Sequence, residues 1–198
     1  MKIIVIGASG TIGQAVVTAL EKDHEVIKAS RSGDIKVDLN NPDSIKAFYS
    51  HQSGIDVIIS VAGDGKFGPL DQLTDSDFDL GLQSKLMGQV NLVRFGLKRI
   101  NPGGVFILTT GIMAHQPNPA SVMLTMINRG LEGFVEAAAL NLTEGRRIYA
   151  VCPPLAKETA EKMGWGPGGM PASEIANYYV RALDEGLNGV SLGPAHDQ

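Results

Sequence analysis

The chain has 198 residues, 43% apolar and 19% charged, enough to bury the core of one compact domain and too apolar for a disordered chain. Its formal charge of −4, from 17 Lys and Arg against 21 Asp and Glu, argues against a nucleic-acid or anionic-membrane binder, which carries a basic excess. The single cysteine, Cys152, excludes a disulfide framework and a cysteine-rich metal site, and no run nears the ~20 apolar residues of a membrane span, so the expected setting is cytoplasmic. In chain order, short β-branched runs alternate with longer helical patterns. Strands are predicted at Ile3–Ile6, Glu25–Ala29, Ile35–Val37, Asp56–Val61, Val105–Thr109, Arg147–Val151 and, weakly marked, Gly189–Leu192. Helices are predicted at Thr11–Lys22, Pro42–His51, Asp75–Ile100, Ser121–Leu142 and Ser173–Glu185, with Pro42 at a first helical position and Ser173 as a start signal. Continuous apolar strands such as VIISV and VFIL are what a parallel sheet covered on both faces requires.

The first strand runs into Gly7, Gly10 and Gly13 and then an amphipathic helix, KIIVIGASGTIGQAV. In such a loop Gly7 permits the tight turn, Gly10 lets backbone approach a pyrophosphate, and Gly13 lets helix and strand pack closely. The anion would sit on free N–H groups at the positive end of the helix dipole, with Ser9, Thr11 and Ile12 around it. The pattern therefore predicts a Rossmann-type α/β fold, a doubly wound parallel sheet with helices on both faces, as one NAD(P)-binding domain over 1–198. An NAD site offers a carboxylate after the second strand for the ribose 2′-OH. Here that strand ends Ser30-Arg31-Ser32, with no acid before Asp34. A guanidinium fork and two hydroxyls suit a 2′-phosphate, so NADP(H) is preferred over NAD(H); the plainer reading of Arg31 is a solvated surface side chain.

Further motifs extend the pattern: VDL with Asp38, SVAG at Ser60–Gly63, GPLDQLTDSDFDL, GGVFILTTG, GLEGFVEAAALNL and RRIYAVCPP. Together with the glycine loop they resemble the short-chain dehydrogenase/reductase family over nearly the whole chain. The resemblance implies an oxidoreductase exchanging hydride between a nicotinamide and a small carbonyl or alcohol. The glycine spacing is nearer to the extended and atypical members than to the commoner ones. Asp38 resembles the carboxylate that holds the adenine amino group, with Leu39 beside the ring, or else it caps a turn. Ala62 and Gly63 resemble the end of the motif lining the adenosine ribose, where two asparagines have become Ser60 and Val61. Pro153 stands near the nicotinamide with Leu155, and Pro154 replaces a glycine that would offer a backbone donor.

The family's catalytic Tyr and Lys, four residues apart on one helix, have no counterpart. An ungapped alignment of GLEGF places Leu124 and Asn128 there, whereas counting from the serine equivalent gives Met123 and Ile127. Thr110 resembles the catalytic serine, Lys85 falls on the position of the family's asparagine, and Asn128 can bond ribose hydroxyls without charge. Lys85 is either a titrating or anion-binding group in the cleft or a snorkelling surface side chain. His115, five residues after Thr110, is either a substitute proton donor or an exposed loop residue. Thr125 is a further hydroxyl, while Met113, Met123 and Met126 line a pocket or pack in core or interface. Little sequence remains after Pro154 for a substrate lid. Apolar residues on several faces of the helices near 75–100 and 121–142 predict a homodimer or homotetramer. Two readings stay open, an oxidoreductase acting on a small carbonyl, quinone or flavin, and a catalytically silent NADP(H)-binding sensor or scaffold.

Overall fold

The computed structural model describes residues 1–184 and 186–197. Seven parallel strands form one sheet: β1 (Lys2–Ile6), β2 (Glu25–Ser30), β3 (Ile35–Lys36), β4 (Ile55–Ser60), β5 (Ile100–Thr109), β6 (Arg147–Val151) and β7 (Val190–Leu192), in the order β3-β2-β1-β4-β5-β6-β7. The chain winds outward from β1 to β3, returns, and winds outward again from β4. The crevice between β1 and β4 is therefore the switch point where ligands bind in such sheets.

Strand alternation divides the core. Ile3 and Val5 face one layer with Val57, Ile59 and Ile107, covered by α1 (Thr11–Leu20) and α7 (Ala172–Asp184). Ile4 and Ile6 face the other with Ile58, Phe106 and Leu108, covered by α2 (Pro42–Ser50), α4 (Gly88–Gly96) and α5 (Val122–Ala139). Burial on both faces is why the strands read as unbroken apolar runs. Asn41 caps α2 by accepting from the Asp43 and Ser44 amides, and Pro42 takes the first turn.

Three elements differ from the sequence expectation. The predicted helix 75–100 is α3 (Asp75–Gly81), a π turn (Leu82–Met87) and α4, and Thr74 opens it with a capping box to Asp77. Its last residue, Ile100, is the first of β5 and pairs with Ile55. A short helix, α6 (Lys157–Lys162), occupies the stretch after Leu155. The last long helix starts at Ala172, so Ser173 lies inside it, and the predicted end at Glu185 lies outside the described residues. Among the described residues no helix is long and apolar enough to cross a membrane.

Candidate active site

The C-terminal ends of β1, β2 and β4 enclose a pocket of about 330 Å³ lined by Gly7, Ser9, Gly10, Ser30, Arg31, Ser32, Asp38, Leu39, Ala62 and Gly63 among others. A second pocket of about 320 Å³ is lined by Ile12, Lys85, Thr110, Asn128, Pro153 and Leu155. Val61, Ala62 and Gly63 border both, so the two lie end to end along the switch-point crevice.

The loop before α1 is shaped by its glycines. Gly7 has φ +87° and would place a Cβ 3.0 Å from Ala62, while a Cβ on Gly13 would lie 2.1 Å from the Gly7 carbonyl oxygen. Gly10 forms the N-cap of α1 with no side-chain cap, and no acidic residue stands in the first turn, which includes Thr11, Ile12 and Gly13. This helix end leaves its first amides uncapped at the pocket, with no acidic side chain to occupy them. Asp38 lines the pocket while its Oδ1 accepts from the Asn40 amide at 3.0 Å, so it closes a turn at the pocket wall. Leu39 is buried against Gly88. The Arg31 guanidinium donates to Asp64 Oδ2 at 3.0 Å, and both residues line the pocket. Sequence reading missed Asp64, which follows SVAG directly.

In the second pocket Leu124 and Asn128 line the wall, whereas Met123 and Ile127 are fully buried against Gly81. The ungapped register is thus the one that faces the crevice. Asn128 Nδ2 donates to the Gly111 carbonyl at 3.3 Å, and its buried Oδ1 has no hydrogen-bond partner. Lys85 lies in the π turn with its stem on Gly63 and its ammonium donating to the carbonyls of Thr110 at 3.1 Å and Thr109 at 3.4 Å. Burial lowers its pKa to about 8. Gln89 braces the same carbonyl of Thr109 and that of Lys85. No tyrosine is among the residues lining this pocket. Tyr179 lies behind β5 with its hydroxyl on Thr109 Oγ1, and burial pushes its phenol up, away from any role near neutrality.

Two expected participants are directed elsewhere. Thr110 borders the pocket, but its hydroxyl lies 3.3 Å from the Val151 carbonyl and 3.4 Å from Glu132 Oε1, behind the wall. His115 follows the tight turn Ile112–Ala114, which carries it out of the pocket, and its Nε2 lies 3.0 Å from Glu132 Oε1. The methionines separate: Met113 lines the pocket, Met123 is core, and Met126 is exposed on α5. Thr125 donates to the Met113 carbonyl.

The stretch after Pro154 does close one side of the pocket, contrary to the sequence expectation. Leu155, Ala156 and Thr159 line it, and α6 is tied back where the Lys157 amide donates to Met170 and the Met170 amide donates to Leu155. Beside it the Phe67 and Trp165 rings meet edge to face at 5.4 Å. Both are exposed, and Phe67 lines the pocket.

A family model described as Enoyl-(Acyl carrier protein) reductase matches residues 2–180. The chain is 26% identical to a hydroxynaphthalene reductase of Aspergillus fumigatus over 148 residues, 74% of this chain and 54% of that one. It is 24% identical to nodulation protein G of a Rhizobium species, covering 77% of this chain and 71% of the relative. The chain spans about half the length of the first of these curated relatives. Among solved structures, the protein lin1944 from Listeria innocua superposes with a TM-score of 0.94 at 38% identity, covering 98% of this chain and 99% of that one. A small-chain dehydrogenase in complex with NADPH superposes at 0.87 with 21% identity, covering 98% and 95%, which shows the shared fold. With the glycine-loop crevice in place and the family model spanning residues 2–180, the chain belongs to the short-chain dehydrogenase/reductase family.

Proposed function

We propose that this chain is an NADP(H)-dependent oxidoreductase reducing a small, largely apolar carbonyl or quinone compound, with Lys85 as its proton donor. The fit to a dinucleotide rests on features of this chain: an uncapped helix end behind Gly10, a glycine loop that admits no Cβ at Gly13, and an orphaned amide oxygen on Asn128. The pyrophosphate is held by the first turn of α1, the adenosine by Asp38, Leu39, Ala62 and Gly63, and the nicotinamide ribose by Asn128. Arg31, with Ser30 and Ser32, takes the 2′-phosphate. The NADPH carried by a neighbour of the same fold agrees with that assignment.

When bound, the nicotinamide supplies a hydride. The chain must then supply a proton to the alkoxide left on the substrate. The observation that carries the reading is the Lys85 ammonium at the pocket wall, its pKa lowered to about 8 and its position fixed by two main-chain carbonyls. A proton donor with a pKa near the working pH is what general acid catalysis requires. Phe67, Met113, Leu124, Pro154 and Leu155 offer an apolar wall to the substrate.

The outward turn of the Thr110 hydroxyl favours the second reading, a silent NADP(H)-binding sensor or scaffold. One experiment separates the two. NADPH and NADH are titrated against the fluorescence of Trp165, the single tryptophan, and the same samples are screened for NADPH oxidation with quinones, flavins and small carbonyl compounds. Binding with turnover supports the oxidoreductase, tight binding without turnover on any acceptor supports the sensor, and no binding removes both. Exposed Val122 and Met126 on α5 and Met87 and Leu97 around α4 supply the apolar surface for a homodimer or homotetramer.

A further inference from the structure

Behind the wall of the Lys85 pocket, four side chains converge from four separate elements. His115 follows the Ile112–Ala114 turn, Glu132 is on α5, Cys152 follows β6, and His196 is in the tail beyond β7. None of the four lines the pocket. One donor atom from each lies within 4.8 Å of all the others. Glu132 Oε1 is 3.0 Å from His115 Nε2 and 3.8 Å from His196 Nε2, and the two imidazoles meet edge to face at 4.5 Å.

Zinc bound tetrahedrally, with bonds of about 2.0–2.3 Å, sets its donors about 3.3–3.8 Å apart. Two of the measured separations already bracket that range, and the widest closes by small side-chain rotations. The donor chemistry also fits. Two imidazoles, a thiolate and a carboxylate are the N, S and O ligands of a borderline-soft dication. Two anions and two neutral rings cancel its charge, so the loaded site is neutral where it is buried. Glu132 is 5% exposed and Cys152 fully buried, so no bulk water competes for their donor atoms. His196 Nε2 is buried with no hydrogen-bond partner, a donor or acceptor aimed into the cluster and left unsatisfied. Around the cluster, Arg129 Nη1 stands 3.5 Å from Glu132 Oε2 and the Thr110 hydroxyl 3.4 Å from Oε1, the outer contacts that fix a ligating carboxylate.

We propose that His115, Glu132, Cys152 and His196 form a structural zinc site. The ion joins the C-terminal tail to α5, to Cys152 at the end of β6 and to His115 beyond the turn that follows β5; Thr110, next after β5, and Pro153, next after Cys152, line the pocket wall. The site acts on the shape of that wall and contacts nothing inside it. It stands independently of which cofactor or substrate the pocket takes.

The test uses full-length protein without a polyhistidine tag, stripped with a chelator and titrated with cobalt(II) as a coloured substitute for zinc. One cobalt per chain is expected, with the intense visible bands of tetrahedral coordination and a thiolate-to-cobalt charge-transfer band in the near ultraviolet. Both bleach when zinc is added, and zinc raises the melting temperature of the stripped protein. Cys152→Ser abolishes the charge-transfer band. His196→Ala alters only the tail beyond β7 and weakens binding by more than the roughly 10–100-fold that loss of an outer contact costs. His51→Ala, on an exposed histidine far from the cluster in sequence, leaves the titration unchanged. A wild-type spectrum without the charge-transfer band overturns the site whatever the variants do. So does a band that survives Cys152→Ser, or binding that His51→Ala removes.

Discussion

The two ends of the switch-point crevice are built from different materials. The end at Gly7–Gly13 is shaped by backbone: a glycine at φ +87°, an uncapped helix start, and a turn closed by Asp38. The end at Lys85 is shaped by side chains, and there Leu124, Asn128 and Lys85 occupy the wall where the family resemblance calls for a tyrosine, a lysine and an asparagine. Backbone geometry tolerates almost no substitution, so an architecture that depends on it persists or fails as a whole. Side-chain chemistry can be exchanged one residue at a time while the fold stays intact. That contrast accounts for a chain that holds every glycine of its loop while Leu124 and Asn128 line the wall where the family resemblance calls for a tyrosine and a lysine.

The backbone end breaks hardest. Gly13→Val would drive a Cβ to 2.1 Å from the Gly7 carbonyl, and neither atom can yield without moving the loop. The expected result is loss of both NADPH and NADH binding in the fluorescence titration, with stability down by about 3 kcal/mol, the upper end of ordinary overpacking. Unchanged affinity would take the glycine loop out of the site.

At the side-chain end, Lys85→Met is expected to slow turnover by roughly 10²–10⁴, the usual worth of a positioned acid, with cofactor affinity little changed. On the proposed role of Lys85, the wild-type reductive rate is expected to fall as pH rises through about 8, because the ammonium is lost, and that limb is expected to disappear in the variant. The stability linkage has the opposite sign. The folded pKa of about 8 lies below the ordinary 10.5, so between these values the unfolded chain holds a proton that the folded chain has released. Folding stability from this group therefore rises with pH across that window. Lys85→Met removes this dependence, and its melting temperature at pH 7 is expected to hold or rise because a desolvated charge is gone. A variant that loses stability along with rate would make Lys85 a structural residue.

How much could be read in advance follows the same division. β1, β4, β5 and β6 are legible because burial on both faces leaves continuous apolar runs, whereas the less buried β2, β3 and β7 are marked only by short β-branched stretches; the glycine loop is legible from its spacing after β1. The π turn escapes, since counting at 3.6 residues per turn slides past the wider turn around Lys85 without a break. The predicted strand starts only at Val105, whereas β5 runs through Asn101-Pro102-Gly103-Gly104 from Ile100, which pairs with Ile55. Helix α6 has too little apolar pattern to announce itself, and its place is fixed by main-chain bonds between Leu155, Lys157 and Met170. At the site, the pairings that redirect side chains are tertiary: Arg31 with Asp64, His115 with Glu132 and His196, Phe67 with Trp165. No local pattern encodes them, so the sequence directs both His115 and Thr110 to the crevice, whereas His115 lies outside its lining and the Thr110 hydroxyl, on a residue that lines it, turns toward Val151 and Glu132.

The Arg31–Asp64 pair gives the finest test of the contrast, because it is a side-chain device placed on the backbone end. Arg31→Ala is expected to weaken NADPH by about 10–100-fold, from the 1.5–3 kcal/mol of a hydrogen bond to a charged group, and to leave NADH nearly unchanged. Equal losses for both would reassign Arg31 to the surface. Asp64 has the reverse sign: its carboxylate occupies the guanidinium at 3.0 Å and would repel an arriving phosphate. Both partners are substantially exposed, so the pair is worth only about 0.2–1 kcal/mol. Asp64→Asn is therefore expected to tighten NADPH by roughly two- to five-fold, a gain that shrinks as salt screens the phosphate. NADH affinity should stay where it is. Weaker NADPH binding in this variant would mean that Asp64 holds the guanidinium in its phosphate-ready position, making the pair part of the cofactor site and not a competitor for it.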